Sequence, residues 1–572
     1  MKNVTKLIGI IALTAIIGFA FITCDDGNNN NNNNNGGQTP NGDPRPTAPE
    51  AMSDKTAMQY FTDEGIKIGI NAGNSLDAVD SWTNSGKPFS IETAWGNPKL
   101  NQAYFNGLKT LGFDIVRVPV TWFGHIGSAP NYKIEEAWLA RVAEVVGYAH
   151  TAGLKVFINI HHDGHHEMGG GGWLLLDRAM QSTANYNQIM AQYEAVWKQI
   201  AEYFINYGDY LMFQAFNEIQ RGDWQENGTQ AEYNVINAWN QKFTDVVRAT
   251  GGNNAKRYLL YYGYMVSSGI ADSAYFQLPT DTATGRQIVG FHYYKPWSFS
   301  GEAVDPNWST EASDKANIDA EFGKMKTKFV NNGIPVIIGE NGPFAYVNHA
   351  ANPGYSAANA VTAHTKRLAY IDYMYGKARE NGIVPHFWEN GFYETTYTEG
   401  DASLINRSNG QPNSTASNEV IQHMISAINN ATPPTTGGKT ITISPNEYGD
   451  PLEQHGWQAK LSLSEFLGSS TSFAIGDTFT LTYTFTSNVA ITNLQAVIVD
   501  ISPPSYWTAL TDYAEIGTVT VGTPVNATKT ITASVAGVSS NANTQFIFNI
   551  GETSGAASEP TLIFTVLTLV KN

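Results

Sequence analysis

Cysteine is all but missing: Cys24 is the only one in 572 residues, so no disulfide within the chain can hold the fold together. Charge is scarce too. There are 34 Lys and Arg against 51 Asp and Glu, charged residues make up 15% of the chain, and the formal net charge is −17. A chain this poor in cations lacks the basic surface that phosphate backbones demand, which sets nucleic acid aside as a partner. Beyond residues 7–23, no apolar run approaches the roughly 20 residues that a membrane-spanning helix needs. No G-x-G-x-x-G turn follows the first strand-like segment, and with it goes the main sign of a dinucleotide fold. What the chain does have is 12% aromatic residues. Many rings with little charge suit either a Tyr- and Trp-rich core or a surface for flat, uncharged polymers such as sugars.

The amino terminus has the layout of an export signal: Lys2 and Lys6, an apolar run from Leu7 to Thr23, then Cys24. The stretch Phe21-Ile22-Thr23-Cys24 resembles a bacterial lipoprotein box, which implies that residues 1–24 are a signal and that Cys24 carries lipid. An uncleaved anchor is the alternative. Both place the remainder outside the cytoplasm, at the cell surface, facing the periplasm or extracellular. Residues 25–50 are rich in Asn, Gly and Pro, with unbroken Asn from Asn28 to Asn35. Such a segment has nothing to bury and serves as a tether.

From 51 to 431, short apolar β-branched runs alternate with longer segments of helical period. The strands expected are Ile66–Asn71, Ile115–Val120, Lys155–His161, Leu211–Asn217, Tyr258–Tyr262, Ile288–Tyr293, Pro335–Gly339 and Ile383–Trp388. Helices are expected between them, among them Glu135–Ala152, Asn187–Tyr207, Asn234–Ala249, Asp314–Val330 and Ala358–Arg379. Apolar strands alternating with helices imply a parallel sheet covered on both faces, and about eight such units imply an α/β fold of the (β/α)₈ TIM-barrel type. Residues 432–439 read as a linker. From 440 to 572 the pattern changes: Phe479-Thr-Leu-Thr-Tyr-Thr-Phe-Thr486 alternates strictly, and further short strands lie between turn residues. That predicts a C-terminal all-β sandwich. Trp457, Tyr506 and Trp507 there are either a carbohydrate-binding face or core between two sheets.

Barrel enzymes place their reactive groups at the C-terminal ends of the strands. Those ends carry Arg117, His161 with His162, Asn217 with Glu218, His292 with Tyr294, Glu340, and Trp388-Glu389-Asn390. Glu218 and Glu340 fall on strands four and seven and would face one another across the mouth. Hydrolysis of a glycosidic bond uses such a pair, one carboxyl protonating the leaving oxygen and the other attacking the anomeric carbon or activating water.

In order along the barrel, Ile158-Asn-Ile-His-His-Asp-Gly164, Phe216-Asn-Glu218, His292-Tyr-Tyr294, Ile337-Ile-Gly-Glu340 and Phe387-Trp-Glu-Asn-Gly391 resemble the strand-end motifs of glycoside hydrolase family 5, the cellulase family. The segments Asn71–Ala78, which contains Asn74, and Glu92–Pro98 resemble its subfamily of endoglucanases, lichenases and xyloglucanases. The resemblance implies Glu218 as acid/base with Asn217 on the sugar 2-hydroxyl. It implies Glu340 as nucleophile, held ionised and oriented by Arg117 and Tyr294. His161 and His292 would hydrogen-bond around the pair, and Trp388 would stack on the sugar. His162, Asn74, Trp297 and Trp173 are further candidates for substrate contact. Three positions depart from the family pattern: Ile219 where Pro follows the Glu, Glu389 where Asp is more frequent, and Ile70 where an aromatic is common.

The activity implied is a retaining endo-β-1,4-glucanase acting on cellulose, mixed-linkage glucan or xyloglucan, as a monomer with no cofactor and no metal. A β-mannanase or a xylanase is the alternative on the same barrel. The cluster His161-His-Asp-Gly-His-His-Glu167 invites a metal, yet its spacing is not His-Glu-x-x-His on one helix face. A metal-dependent hydrolase and a non-catalytic sugar-binding lipoprotein are the other readings.

Overall fold

The computed structural model describes residues 45–571 apart from 81–88, 166–170, 349–351, 353, 392–401, 432, 434–439, 443, 446–456, 468–471, 502–507, 539–542 and 551–560. The expectations for Cys24 and for the tether as far as residue 44 lie outside the described residues; its last part, 45–50, is described and lies on the barrel, where the Glu50 N–H donates to Asn206 O at 2.8 Å and Pro46 O accepts from Asn206 Nδ2 at 3.1 Å. The side chains of Trp457, Tyr506 and Trp507 also lie outside the described residues.

Eight parallel strands close into a barrel: β1 Gly69–Asn71, β2 Ile115–Val118, β3 Lys155–Asn159, β4 Leu211–Gln214, β5 Leu259–Tyr261, β6 Gln287–Tyr293, β7 Val336–Asn341 and β8 Ile383–Phe387. Each pairs with its neighbours in sequence, and β8 returns to β1 through Gly69↔His386. β1, β2, β4, β5, β7 and β8 are buried at every position, because helices cover the side that faces away from the barrel interior. That explains the near-continuous apolar runs. The covering helices are α1 Gln102–Leu111, α2 Glu136–Thr151, α3 Thr183–Tyr203, α4 Gln230–Ala249, α5 Glu311–Lys328, α6 Ala357–Glu380 and α7 Thr415–Asn430. Their starts are written in the sequence. Asn101, Ser182, Thr229, Ser356 and Ser414 each accept a backbone N–H of the first turn, and Thr229 forms a capping box with Glu232. α4 then buries Tyr233, Ile236, Trp239, Phe243 and Val247 at helical spacing.

One irregularity bears on chemistry. Phe291 on β6 pairs with Ile338, but its successor His292 pairs with Glu340, so Gly339 is the extra residue of a β-bulge. β8 skips likewise, from Pro385↔Ile338 to Phe387↔Asn341. A bulge bends its strand and re-aims the next side chain, here Glu340.

The C-terminal region is antiparallel. The strands β9 Thr440–Thr442, β10 Trp457–Ser462, β11 Thr478–Ser487, β12 Ile491–Asp500, β13 Ala514–Val519, β14 Val525–Thr532, β15 Thr544–Ile550 and β16 Thr561–Lys571 form two principal sheets. One runs in the order β9-β16-β11-β14, and the other contains β10-β15-β12 with β13 paired to β12. β11 alternates without a break, Phe479, Leu481, Tyr483 and Phe485 inward and the threonines between them outward. Phe546, Phe548 and Phe564 complete that core, as a sandwich requires.

Candidate active site

Arg117 is the hub. It ends β2 inside the barrel, fully buried, and its guanidinium serves four side chains. Nε donates to Gln214 Oε1 at 2.8 Å, Nη2 to Asn217 Oδ1 at 2.7 Å, and Nη1 to both Asn71 Oδ1 at 2.9 Å and Glu340 Oε1 at 2.7 Å. A planar, five-donor cation suits this task; a lysine does not. The second oxygen of Glu340 accepts from Tyr294 Oη at 3.2 Å. Burial, and then the charges of Glu340 and Glu218, push the Tyr294 phenol well above its ordinary value, so it stays a donor. Glu340 is thereby fixed at both oxygens.

Glu218 follows β4 and is gripped by imidazoles. His292 Nδ1 lies 2.7 Å from its Oε1, and His165 Nε2 lies 3.6 Å from its Oε2. Burial pushes the Glu218 carboxyl up; hydrogen bonds from His165 and His292, with the rings donating, outweigh it and hold the carboxyl below its ordinary value. Ile219, standing in the proline position, uses its N–H to reach Asn217 O at 3.1 Å.

An oxygen of Glu218 lies within 4.8 Å of an oxygen of Glu340. Retaining glycosidases hold their carboxyls about 5–5.5 Å apart, whereas inverting ones leave roughly 6.5–9.5 Å for an intervening water. The spacing is that of a retaining pair. His292, also within that distance, meets both glutamates. With Arg117 already 2.7 Å from Glu340, the positive charge at this set comes from the chain itself.

Trp388 leaves β8 partly buried, its ring parallel to His161 at 5.8 Å and 5°. His161 Nδ1 accepts from Asn159 Nδ2 at 3.1 Å, and His162 Nδ1 lies 2.9 Å from Asp77 O. Burial lowers both rings, His162 to about 3, so they are neutral. Asp77, His161 and His162 bring one donor atom each within 4.8 Å of one another, the other grouping that could hold a metal ion among the described residues. Asp77 already accepts from the backbone N–H groups of Asn74 and Ser75, at 3.1 and 2.8 Å, which fixes Asn74 in a left-handed conformation.

The two candidate platforms part company. Trp297 is 48% exposed and meets Tyr294 edge to face at 5.9 Å. Trp173 is 8% exposed, packs in the core, and donates its indole N–H to buried Asp163 Oδ1 at 2.6 Å. Trp173, a candidate for substrate contact, is thus held by the core and offers little open face to a sugar. Glu389 also turns out to be structural: Arg407, Tyr104 and the N–H groups of Gly391, Leu404 and Ile405 surround its fully buried carboxylate.

Several contributors were not singled out from sequence. Asn71 donates to Gly339 O at 2.9 Å and Phe387 O at 3.0 Å, tying β1 to β7 and β8 beneath the site. Gln214 and His165 touch the machinery directly. Trp224, 39% exposed, stands 5.2 Å from the His165 ring on the Glu218 side. A carboxylate pair at retaining distance, on strands four and seven of an eight-stranded barrel and oriented by Arg117, Asn217, His292 and Tyr294, is glycosidase geometry.

The family model for cellulase (glycosyl hydrolase family 5) matches residues 77–394. The chain belongs to glycoside hydrolase family 5. It is therefore a glycoside hydrolase of the cellulase type, and its relatives are enzymes of that kind. It is 36% identical over 364 residues to endoglucanase A of Paenibacillus barcinonensis, covering 60% of this chain and 84% of that one. It is 36% identical over 383 residues to a xyloglucan-specific endo-β-1,4-glucanase of Bacteroides ovatus, covering 64% and 70%. Among solved structures, a GH5-4 broad-specificity endoglucanase from Bacteroides salanitronis aligns at 37% identity and TM-score 0.56, over 64% of this chain and 93% of that one. The Bacteroides ovatus GH5 xyloglucanase in complex with an XXXG heptasaccharide aligns at 33% and 0.57, over 68% and 80%.

Proposed function

We propose that the chain hydrolyses internal β-1,4 bonds of a glucan with retention of configuration, using Glu340 as nucleophile and Glu218 as acid/base. The approach of an oxygen of Glu218 to within 4.8 Å of an oxygen of Glu340 carries this reading. Glu340 attacks the anomeric carbon as the glycosidic C–O bond breaks, and the proton of Glu218 passes to the departing oxygen. In the second half Glu218 takes a proton from water, whose oxygen displaces Glu340. Asn217, fixed by Arg117, meets the 2-hydroxyl, and Trp388 lies under the ring being cleaved. The exposed indoles of Trp224 and Trp297 flank the pair on the Glu218 and Glu340 sides and give the polymer flat apolar contacts.

Relatives named endoglucanase and xyloglucanase support a glucan backbone. Product analysis on carboxymethyl-cellulose, barley glucan, xyloglucan, mannan and xylan tests it. Release of oligosaccharides from the first three, with the β-anomer appearing first by NMR, is the expected result. Cleavage of mannan or xylan alone would reassign the substrate, and cleavage of none would overturn the activity. The N-terminal sequence supports export with Cys24 lipidated; Cys24→Ser is then expected to move the enzyme from the membrane fraction to the medium or periplasm.

A further inference from the structure

Lys295 lies between Tyr294, which binds Glu340, and Trp297, the exposed indole, in the loop that follows β6. Its ammonium joins three elements. Nζ donates to Glu226 Oε2 at 2.8 Å, in the loop after β4 that carries Trp224, and to Glu321 Oε1 at 3.2 Å on α5. The loop after β5 backs both carboxylates: Ser267 Oγ donates to Glu226 Oε2 at 3.4 Å, and Ser268 Oγ donates to Glu321 Oε2. The main chain of Lys295 is fixed as well, its carbonyl accepting from Tyr370 Oη of α6 at 2.7 Å. Burial alone would lower the ammonium; hydrogen bonds and charge from Glu226 and Glu321 outweigh it and hold it above its ordinary value, so it stays charged. The loop that supplies the serines is bent at a cost. Met265 (φ 54°) and Val266 (φ 46°) are both left-handed, which a β-branched residue rarely adopts, and such strain persists only where the surroundings over-determine it. Here the Met265 N–H donates to Ile219 O at 2.8 Å, Val266 is buried, and the next two residues are the serines on the carboxylates. Trp224 is left-handed too, φ 55°, with its N–H on Gln220 Oε1 at 3.2 Å.

We propose that Lys295 is a positioning residue that fastens the Trp224 loop to the Trp297 loop and so fixes the half of the cleft that receives the departing end of the glucan. β4, β5 and β6 are neighbours in the closed barrel, so their loops form one arc of the mouth, and Trp388 rises from β8, outside that arc. Glu218, which protonates the departing oxygen, stands at the end of β4 on the same arc. Both exposed indoles are within two residues of the link, Trp224 before Glu226 and Trp297 after Lys295. A lone exposed ion pair is worth little to stability. Here one ammonium answers two carboxylates from different elements, and what it sets is the position of two loops. Without it Glu226 and Glu321 repel one another, and the two indoles lose their common anchor.

The inference rests on the glucanase reading above, and the experiment separates the two. In the full chain, Lys295→Met removes the charge at similar length, and Glu226→Gln removes the carboxylate on the Trp224 side. Each is expected to raise KM on barley glucan about fivefold with kcat within about twofold, because the polymer meets both indoles. On a dinitrophenyl cellobioside, whose aryl group takes the place of the departing polymer, kcat/KM is expected to change less than about twofold. The double variant is expected to match either single one, as the two partners of one bond do. An unmoved KM on glucan, equal losses on both substrates, or effects that multiply in the double variant would overturn the role of Lys295. Calorimetry of cellohexaose on the Glu340→Gln chain supplies a readout independent of turnover. Adding Lys295→Met to that chain is expected to weaken binding about fivefold, and unchanged affinity would sink the proposal. If the native chain cleaves neither glucan nor the aryl cellobioside, the activity reading fails instead, and the binding measurement still decides the role of Lys295.

Discussion

Arg117 Nη1 stands 2.7 Å from Glu340 Oε1 and 2.9 Å from Asn71 Oδ1, so the carboxylate of β7 is held by a cation from β2 that is itself braced by β1. Asn71 closes the loop by donating to the carbonyl of Gly339, the bulge residue before Glu340. The orientation of one carboxylate is thus set by a network that spans the barrel interior, and each strand end adds one constraint.

Arg117→Lys is expected to lower kcat/KM by about 10²–10³-fold, because an ammonium cannot serve four acceptors in one plane. Steady-state kinetics on soluble β-glucan checks this. Activity within tenfold of the native chain would mean that Tyr294 alone orients Glu340.

Glu389→Gln is expected to act on stability, not chemistry. It leaves the buried Arg407 guanidinium, now 2.7 Å from Glu389 Oε2, without its countercharge, a loss of about 3–5 kcal/mol. Melting should fall by roughly 10 °C while kcat at 25 °C changes less than about threefold.

The two tryptophans should separate cleanly. Trp297→Ala removes an exposed ring face and is expected to raise KM on polymer several-fold with kcat little changed. Trp173→Ala empties a packed site and breaks the Asp163 bond, so melting falls by an amount equivalent to about 3–5 kcal/mol. The reverse pattern would restore Trp173 as the sugar platform.

Asp163 gives a pH test with a definite sign. Burial pushes its carboxyl up to about 7, against hydrogen bonds from Trp122 and Trp173. In the unfolded chain it titrates near 3.9. Between those values the folded protein holds a proton that the unfolded chain has released. Stability from this group is therefore complete below about pH 4 and is lost as pH rises through about 7. Asparagine does not titrate. The melting temperature of the native chain relative to Asp163→Asn should be highest at or below about pH 4 and fall steadily toward about pH 7; a difference that is constant, or that rises with pH, would contradict it.

All eight barrel strands were legible, because strands buried on both faces must be apolar and end where polar side chains enter the site. Their limits were less so. The first strand begins at Gly69, not Ile66, since the N–H groups of Lys67 and Ile68 go to the Asp114 side chain. The third ends at Asn159, because His162–Gly164 turn into a short 3-10 helix. Glu218, Glu340, Arg117, Asn217, His292 and Tyr294 come together as their strand ends implied. Asn71 and the Gly339 bulge were hidden, because their roles depend on register between strands far apart in sequence. Trp173 misled because its buried partner, Asp163, is visible only in three dimensions.

The central claim is that Glu340 forms the covalent bond. Incubation with a 2-deoxy-2-fluoro-cellobioside bearing an activated leaving group, then peptide mass spectrometry, tests it most directly. The account predicts one glycosyl adduct per chain, on the peptide containing Glu340, with activity lost in step. An adduct on Glu218, or turnover of the reagent with no adduct and inverted product, would contradict it.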